Sequence, residues 1–553
     1  MKQLQLTFLA SLIGLISILL YWQGLYYDYV QWDEGIYIVK NPHIQSFSLE
    51  NLQWMFTATH AAVWAPMLWL SYAVDYQISG LNPFAYHLSN IVLHAANSIW
   101  ILFLTLLILK IKPIGSFSIK HQYLAAGIAA LLFVIHPQHV EPVMWIASRK
   151  DVLSLFFVLA TIWFYLHYTQ SDSKSYYWLA VISFSLAAMT KPVAMTIPII
   201  LLILDVFLLQ RINSFKSILR YVVFEKLPFW GFALLTAGMA FYAHLLAERI
   251  IATVEIGLDA RILNAAEMIM LYLVKFIIPI GLSPYYPFPT FFNILPFILL
   301  VLLTTILFYL YKKYKQIALW TVWLIFIISL FPMLNIVTFN PSIAGADKFI
   351  YLPMVGFYIL IGIAIVKGCI QCTKKWQFFT KIIIFLVAFG FIQLSQQQMQ
   401  VWEDNLHLWS AANQAFPNHL EIQDSLANAY FEHKQYQAAV YYYQKNASQN
   451  TICVPCDYGL ASSYLQLGEL TKSLHYLLKI VQSVEKADNK EGLDDVYFKI
   501  ALIQGKLGDI LTALESAKKG LLLNPNNQQG QQLKQQLQRH YDMSQDIKII
   551  LEP

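Results

Sequence analysis

Long apolar runs separated by short polar connections fill the chain from its first residues to about position 395, and no comparable run follows. Crossing the hydrocarbon core of a bilayer takes roughly 17–25 predominantly apolar residues. Eleven stretches read as spans: Leu6–Trp22, Leu88–Leu109, Tyr123–Ile135, Val152–His167, Tyr176–Met189, Val193–Leu209, Leu227–Leu246, Ile294–Tyr311, Ile317–Leu334, Phe349–Val366 and Phe378–Leu394. Asn264–Ile280 is similarly apolar but carries Glu267 and Lys275, which suits a helix lying in the interface. No A-x-A cleavage pattern follows the first span, so it reads as retained rather than removed.

From about Gln396 the chain becomes rich in Gln, Asn, Lys and Glu with helical periodicity, and it repeats itself. The frame Leu426-Ala427, Tyr430, Ala439, Tyr443 recurs as Leu460-Ala461, Tyr464, Gly468, and again as Ile500-Ala501, Gly508, Ala513, Pro525. The first offset is 34 residues and the second 40, the helix–turn–helix period of tetratricopeptide (TPR) repeats with an insertion near Lys486–Gly492. Stacked repeats of this kind present a concave face to a peptide. The expected fold class is all-α, with a polytopic membrane bundle over residues 1–395 and an α-helical solenoid over 396–553.

Composition agrees. The chain has 553 residues, 58% hydrophobic and 12% charged, more apolar surface than a soluble core can bury. Its net charge of +5 is spread over loops, with no basic arm or stripe to suit nucleic acid. The lysines and arginines instead set an orientation. Lys110, Lys112 and Lys120, then Lys174, then Arg211, Lys216, Arg220 and Lys226, then Lys312, Lys313 and Lys315, and finally Lys367, Lys374 and Lys375 fall in alternate loops. The first of the opposing loops, Gln23–His87, holds only Lys40. This bias predicts a cytoplasmic N-terminus and places the C-terminal repeats outside. Two C-x-x-C pairs are present. Cys369 and Cys372 are too few to close a tetrahedral zinc site. Cys453 and Cys456 can close a local disulfide in an oxidising compartment.

Ionisable residues collect on the expected outer face. The first outer loop carries the adjacent carboxylates Asp33 and Glu34, then His43, His60, Asp75 and His87. "HPQHVEPVMWIASRKD" adds His136, His139, Glu141, Arg149, Lys150 and Asp151; "MTKP" adds Lys191, and "AGADKFIYLP" adds Asp347, Lys348 and Tyr351. An acid beside the membrane can deprotonate a hydroxyl acceptor while cations hold a phosphate leaving group. On this reading His139, Glu141, Arg149, Lys150, Lys191 and Lys348 are candidates for the phosphate, and His60, His87 and Tyr351 for the acceptor region. Each taken singly is better read as a solvated loop residue or a helix anchor, and it is their clustering on one face that favours the chemistry.

Six stretches, in order along the chain, carry a resemblance: "WDEGIYIVKNPHIQSFSLENLQWMFT", "GLNPFAYHLSNIVLHAAN", "HPQHVEPVMWIASRKDVLS", "TKPVAMTIPIILLILD", "EKLPF" and "ADKFIYLPMVGF". Together they resemble bacterial relatives of the TMTC proteins, membrane O-mannosyltransferases of the GT-C glycosyltransferase class that end in TPR repeats. The resemblance implies a GT-C-like enzyme of a bacterial inner membrane. It would take a sugar from a polyprenyl-phosphate-linked donor and transfer it to a hydroxyl of an exported protein recruited by the repeats. It maps the catalytic acidic pair onto Asp33 and Glu34, with Asp33 as base and Glu34 either orienting the acceptor or sharing a divalent metal, Mg or Mn, with Asp33. A metal-independent reaction is favoured, because Lys or Arg can neutralise the donor phosphate. Three departures stand out: Glu34 where relatives often have Asp, Ala65 where a basic or polar residue often precedes the Pro of "WAPM", and Lys348 where Arg is common. The rival readings are a non-catalytic membrane anchor displaying repeats, and an enzyme acting on a lipid or surface polysaccharide.

Overall fold

The computed structural model describes residues 2–30, 32–246, 256–289, 291–336, 343–449, 453–484 and 492–551. It divides into two compact units, Met1–Leu408 and Trp409–Pro553.

Helix starts in the first unit follow the capping residues of the sequence. The side chains of Ser48 and Ser118 accept from the backbone N–H of Asn51 and His121, and Asn82 caps a helix that Pro83 opens. The helices are α1 (Lys2–Tyr21), α2 (Leu49–Thr57), α3 (Pro66–Ser79), α4 (Pro83–Ile111), α5 (Ile119–Ile135), α6 (Val140–Met144), α7 (Arg149–Ser171) and α8 (Lys174–Ala188). They continue as α9 (Ile197–Ile203), α10 (Phe215–Ile218), α11 (Leu227–Leu246), α12 (Leu258–Ile277), α13 (Leu295–Tyr314), α14 (Ile317–Leu330), α15 (Val355–Gln371) and α16 (Lys374–Gln400). A two-stranded antiparallel ribbon pairs β1 (Tyr286–Pro287) with β2 (Ile343–Gly345).

All eleven apolar stretches coincide with helical segments, so the unit is an all-α polytopic bundle. Length divides them more finely. Among the described residues six helices are long and apolar enough to cross a membrane alone. Ile119–Ile135 and Pro137–Met144 form a pair bent by 58°, and Pro192–Leu208, Ile317–Met333 and Val355–Gln371 are shorter apolar helices. The breaks fall at prolines, whose missing N–H and ring interrupt the helical ladder. α12 is amphipathic, burying Ala265, Met268, Ile269 and Tyr272 while leaving Val274 and Ile277 exposed.

Small residues set the closest helix approach. Ala125, Ala126, Ala129 and Ala130 of α5 are fully buried, and a Cβ added at Gly362 of α15 would collide with the Ala125 carbonyl and press on the backbone and Cβ of Ala129. α13 buries no residue and α16 only Ser395 and Met399, leaving side chains such as Ile298, Phe385 and Leu386 facing outward as lipid-contacting spans do. Near the end of α9 a closed ionic network forms. Lys226, wholly buried, lies 2.8 Å from both Asp205 and Glu225, Arg211 bridges the same carboxylates, and Tyr165 donates to Asp205. Buried charges persist in such a bundle only when paired in this way.

The unit boundary falls 13 residues after the expected one, at 408 rather than 395. α16 runs on to Gln400, and the chain after it returns to the bundle: Asp28 donates its N–H to the Glu403 carbonyl at 3.0 Å, and Trp402 stacks on Trp145.

Among the described residues the second unit contains three helical hairpins of one design: Leu420–Glu432 with Tyr436–Gln449, Val454–Gln466 with Leu470–Val484, and Leu493–Lys506 with Ile510–Leu523. Each turns through a left-handed residue, Lys434, Gly468 and Gly508, spaced by 34 and 40 residues. The same two offsets relate the buried Ala427, Ala461 and Ala501, and again Ala439, Ser473 and Ala513, which let the paired helices touch. Cys453 and Cys456 are disulfide-bonded at the N-terminal end of Val454–Gln466, while Cys369 and Cys372 are free thiols. The insertion expected near Lys486–Gly492 lies, apart from Gly492, outside the described residues.

Replacing Gly362 by Val forces α5 and α15 apart, at a cost of about 1–3 kcal/mol for overpacking. Gly368→Ala in the same helix meets open space and should leave stability unchanged or slightly raised. Thermal unfolding in detergent separates the two, and a Gly362→Val protein as stable as wild type would refute the close approach.

Candidate active site

The stretch that follows α1 brings two neighbouring carboxylates to different fates. Past Val30 the chain turns so that the Asp33 carbonyl accepts from the N–H groups of Ile36 and Tyr37. Asp33 remains a third exposed, its carboxylate 3.6 Å from the Lys150 ammonium. Glu34 is 1% exposed and accepts the Ala147 N–H at 3.2 Å, tying this stretch to the turn that leads into α7. Burial pushes the Glu34 carboxyl up to about 8, helped by the negative charge of Asp33 and opposed by the Trp145 indole and Ala147 N–H.

The first turn of α7 supplies the next three residues, each with a different role. Arg149 is buried at 1% exposure, and its guanidinium meets Asp75 at 2.8 Å, the Tyr86 carbonyl at 2.7 Å and the Asn90 side chain. Lys150 faces Asp33 and lies over the Tyr37 ring. Asp151 receives the Lys191 ammonium at 2.5 Å. A third pair completes the set, with the Lys348 ammonium 3.6 Å from the Glu141 carboxylate. Asp151, Lys191 and Lys348 line one small cavity with Phe349 and Leu352. Burial holds the Lys348 ammonium below its usual value against the pull of Glu141, and the Lys150 charge adds repulsion.

Aromatic side chains form the wall behind these charges. Trp32 stacks between Trp145 at 4.9 Å and Tyr285 at 6.0 Å, and Trp145 stacks in turn on Trp402. The Lys348 ammonium sits 3.5 Å above the Trp145 ring, a cation–π contact. Below it, Asp347 is buried and accepts from Tyr286 at 3.1 Å and Gln138 at 3.3 Å, which joins the β-ribbon to the turn before α6. Burial and the Glu141 charge push the Asp347 carboxyl up to about 8.

The structure thus draws together Asp33, Glu141, Lys150, Lys191 and Lys348 and sets other sequence candidates apart. Arg149 is not placed to meet a ligand phosphate, because protein groups already take up its guanidinium. His139 bonds the Phe133 carbonyl at 2.7 Å within a cluster of rings and belongs to the packed interior, whereas Tyr351, held in the same cluster by His94 at 2.6 Å, also lines the cavity of Asp151, Lys191 and Lys348. His87 is buried at 1% exposure. His60 stays near the surface, bonding the Ile36 carbonyl at 3.1 Å and packing against Trp54 and Trp69. Asp75 and Asp347, grouped with the outer-face charges in the sequence, take positioning roles, and Asn90 and Trp145 join them with no signal in the sequence that announced it. Among the described residues no three His, Cys, Asp or Glu side chains converge as a metal-ligand set.

No protein-family model matches the chain. It is similar to the human protein O-mannosyl-transferase TMTC2, 28% identical over 208 residues that make up 34% of this chain and 23% of the relative. The human protein O-mannosyl-transferase TMTC3 is 27% identical over 224 residues, 38% of this chain and 23% of that protein. The mouse protein O-mannosyl-transferase TMTC4 is 24% identical over 233 residues, 39% and 31% respectively. The matched part of the chain therefore spans only 23–31% of the length of these relatives, and the likeness is to a family of glycosyltransferases.

Glu34 and Asp347 set a pH dependence. Between the ordinary carboxylate range and about 8 the folded protein holds protons that the unfolded chain has released, so stability falls as pH rises across that window. Glu34→Gln keeps the hydrogen-bonding shape without the titration. The melting temperature of wild type should drop between about pH 5 and pH 8 and that of Glu34→Gln should drop less; parallel curves would exclude a buried, proton-holding Glu34.

Proposed function

We propose that the protein is a GT-C-like glycosyltransferase that moves a sugar, mannose by the likeness to its relatives, from a polyprenyl-phosphate-linked donor to a hydroxyl of a protein. The observation that carries this reading is the part-exposed Asp33 carboxylate facing Lys150, with Lys191 and Lys348 grouped beside it. Asp33 takes the proton of the acceptor hydroxyl as its oxygen bonds the anomeric carbon. The bond from that carbon to the phosphate oxygen breaks, and the departing polyprenyl phosphate takes the electron pair. Lys150, Lys191 and Lys348 stabilise its charge, and because Asp33, Asp151 and Glu141 already hold them in place, little reorganisation accompanies the step. Glu34 orients: protonated near neutrality, it fixes Asp33 against the turn into α7 rather than sharing a metal with it.

The side of the membrane rests on charge and redox chemistry. The lysine-rich turns at the far ends of α4 and α13 oppose the site end of the bundle, which favours an extracytoplasmic site. The Cys453–Cys456 disulfide favours an oxidising compartment for the second unit. A bacterial inner membrane, with the N-terminus cytoplasmic and the TPR-like hairpins outside, accommodates both. The hairpins then recruit the exported acceptor and raise its concentration at the site. The scaffold and polysaccharide readings leave the grouping of Asp33 with three lysines without a use or the hairpins without one.

Asp33→Asn removes the base while keeping size, so the protein should fold and insert normally. Transfer should fall roughly 10²–10⁴-fold, and Glu34→Gln should cost less. The assay follows sugar incorporation from a polyprenyl-phosphate sugar into exported protein by mass spectrometry, and full glycosylation by a normally expressed Asp33→Asn variant would end the assignment. A cysteine placed on an exposed hairpin position should react with an impermeant thiol reagent in intact spheroplasts; labelling only after membrane rupture would invert the orientation.

A further inference from the structure

An apolar groove runs between α4, α7, α9, α14 and α15. Its walls are almost wholly Leu, Ile, Val and Phe. One end reaches Leu352, which also lines the cavity of Asp151, Lys191 and Lys348. The other end is bounded by Lys112, Lys315 and Gln316. From Leu352 to Ile363 the groove follows eleven residues, about 16 Å at the helical rise. Lys315 caps α13 in a left-handed conformation, φ 55°, and turns the chain directly into α14.

Charge distinguishes the two ends. Lys191 and Lys348 are compensated by Asp151 and Glu141. Lys112 and Lys315 are exposed, and no described carboxylate lies within ion-pair distance of either. An apolar trough with two uncompensated cations at its mouth complements an amphiphile with one anionic end. We propose that the groove binds an anionic glycerophospholipid of the surrounding bilayer, its headgroup phosphate between Lys112 and Lys315 and an acyl chain running along α15 toward Leu352. Basic pockets between membrane helices hold anionic headgroups by this combination of charge and apolar wall. A polyprenyl phosphate entering the same groove from the site end would place its phosphate at Lys191 and Lys348 and leave Lys112 and Lys315 without a counter-charge. The lipid completes the packing of α14 against α4 and α7. Neither a sugar nor an acceptor enters the argument, so it stands apart from the transfer reaction.

The test uses the full chain, delipidated in neutral detergent and titrated with phosphatidylglycerol or phosphatidylcholine while unfolding temperature and native mass spectra are recorded. Wild type should retain one phosphatidylglycerol and be stabilised by it more than by phosphatidylcholine. Lys112→Gln with Lys315→Gln should weaken phosphatidylglycerol about 30-fold, roughly 5-fold for each lysine, and leave phosphatidylcholine unchanged. Ile325→Trp, which fills the groove and keeps both lysines, should lower occupancy as well. An equal unfolding temperature of the lipid-free variants and wild type shows that they are folded. Equal binding of the two phospholipids, an unchanged affinity in the double variant, or one-for-one displacement of phosphatidylglycerol by polyprenyl phosphate would each overturn the proposal.

Discussion

The pairing of Arg149 with Asp75 fixes the place where α7 begins, and the site is built outward from that point. Both side chains are 1% exposed, and Asn90 and the Tyr86 carbonyl complete the shell around the guanidinium. A charge in an apolar bundle is tolerated only with its partner, and removing one partner of such a pair costs about 3–5 kcal/mol. That constraint locks α3, α4 and α7 in one register. Lys150 and Asp151 follow Arg149 directly, so their directions are set by a pair that itself faces away from the site.

The same rule governs the site. Each of its cations comes with a carboxylate, Lys150 with Asp33, Lys191 with Asp151 and Lys348 with Glu141. These pairs are less enclosed than Arg149 and Asp75, with lysine side chains 10–16% exposed. In the proposed reaction an incoming phosphate would therefore compete for the ammonium groups, which a saturated guanidinium does not permit. Lysine suits this exchange, being a flexible point charge rather than a rigid fork. Trp145 adds a neutral face that holds Lys348 without binding it irreversibly.

The helices and their order were legible because apolar runs of membrane length leave little choice of structure. The repeat hairpins were legible too, since Gly468 and Gly508 mark turns and the buried alanines recur at the same offsets. Side-chain direction was not. Arg149 and Lys150 are adjacent and equally basic, yet a rotation of one helical residue separates an enclosed anchor from a site cation. Asp33 and Glu34 part in the same way, and Lys348 and Tyr351, three residues apart, both reach the cavity while Tyr351 alone is held by His94 among the rings behind it. Short turns of 3₁₀ and π type intervene at each place, and residue spacing does not encode which way a side chain leaves them. The return of the chain after α16 was not legible for a related reason: Trp402 lies in a polar stretch but stacks on Trp145.

The separation of paired charges along the chain also bears on how the protein is made. Asp75 and Arg149 are 74 residues apart, whereas Asp205 and Lys226 are separated by only 21. At a synthesis rate of about 5–20 residues per second, Asp75 waits about 4–15 s for its partner and Asp205 about 1–4 s. During the longer interval the Asp75 carboxylate has Ser89 but no cation to settle it, and α3 and α4 lack the contact that fixes their register. That packing is completed only when α7 emerges, while the segment around Asp205 closes almost as it is made. The ion pairs act as a timetable for assembly, in which the part of the molecule that carries the site is the last of the early helices to become irreversible.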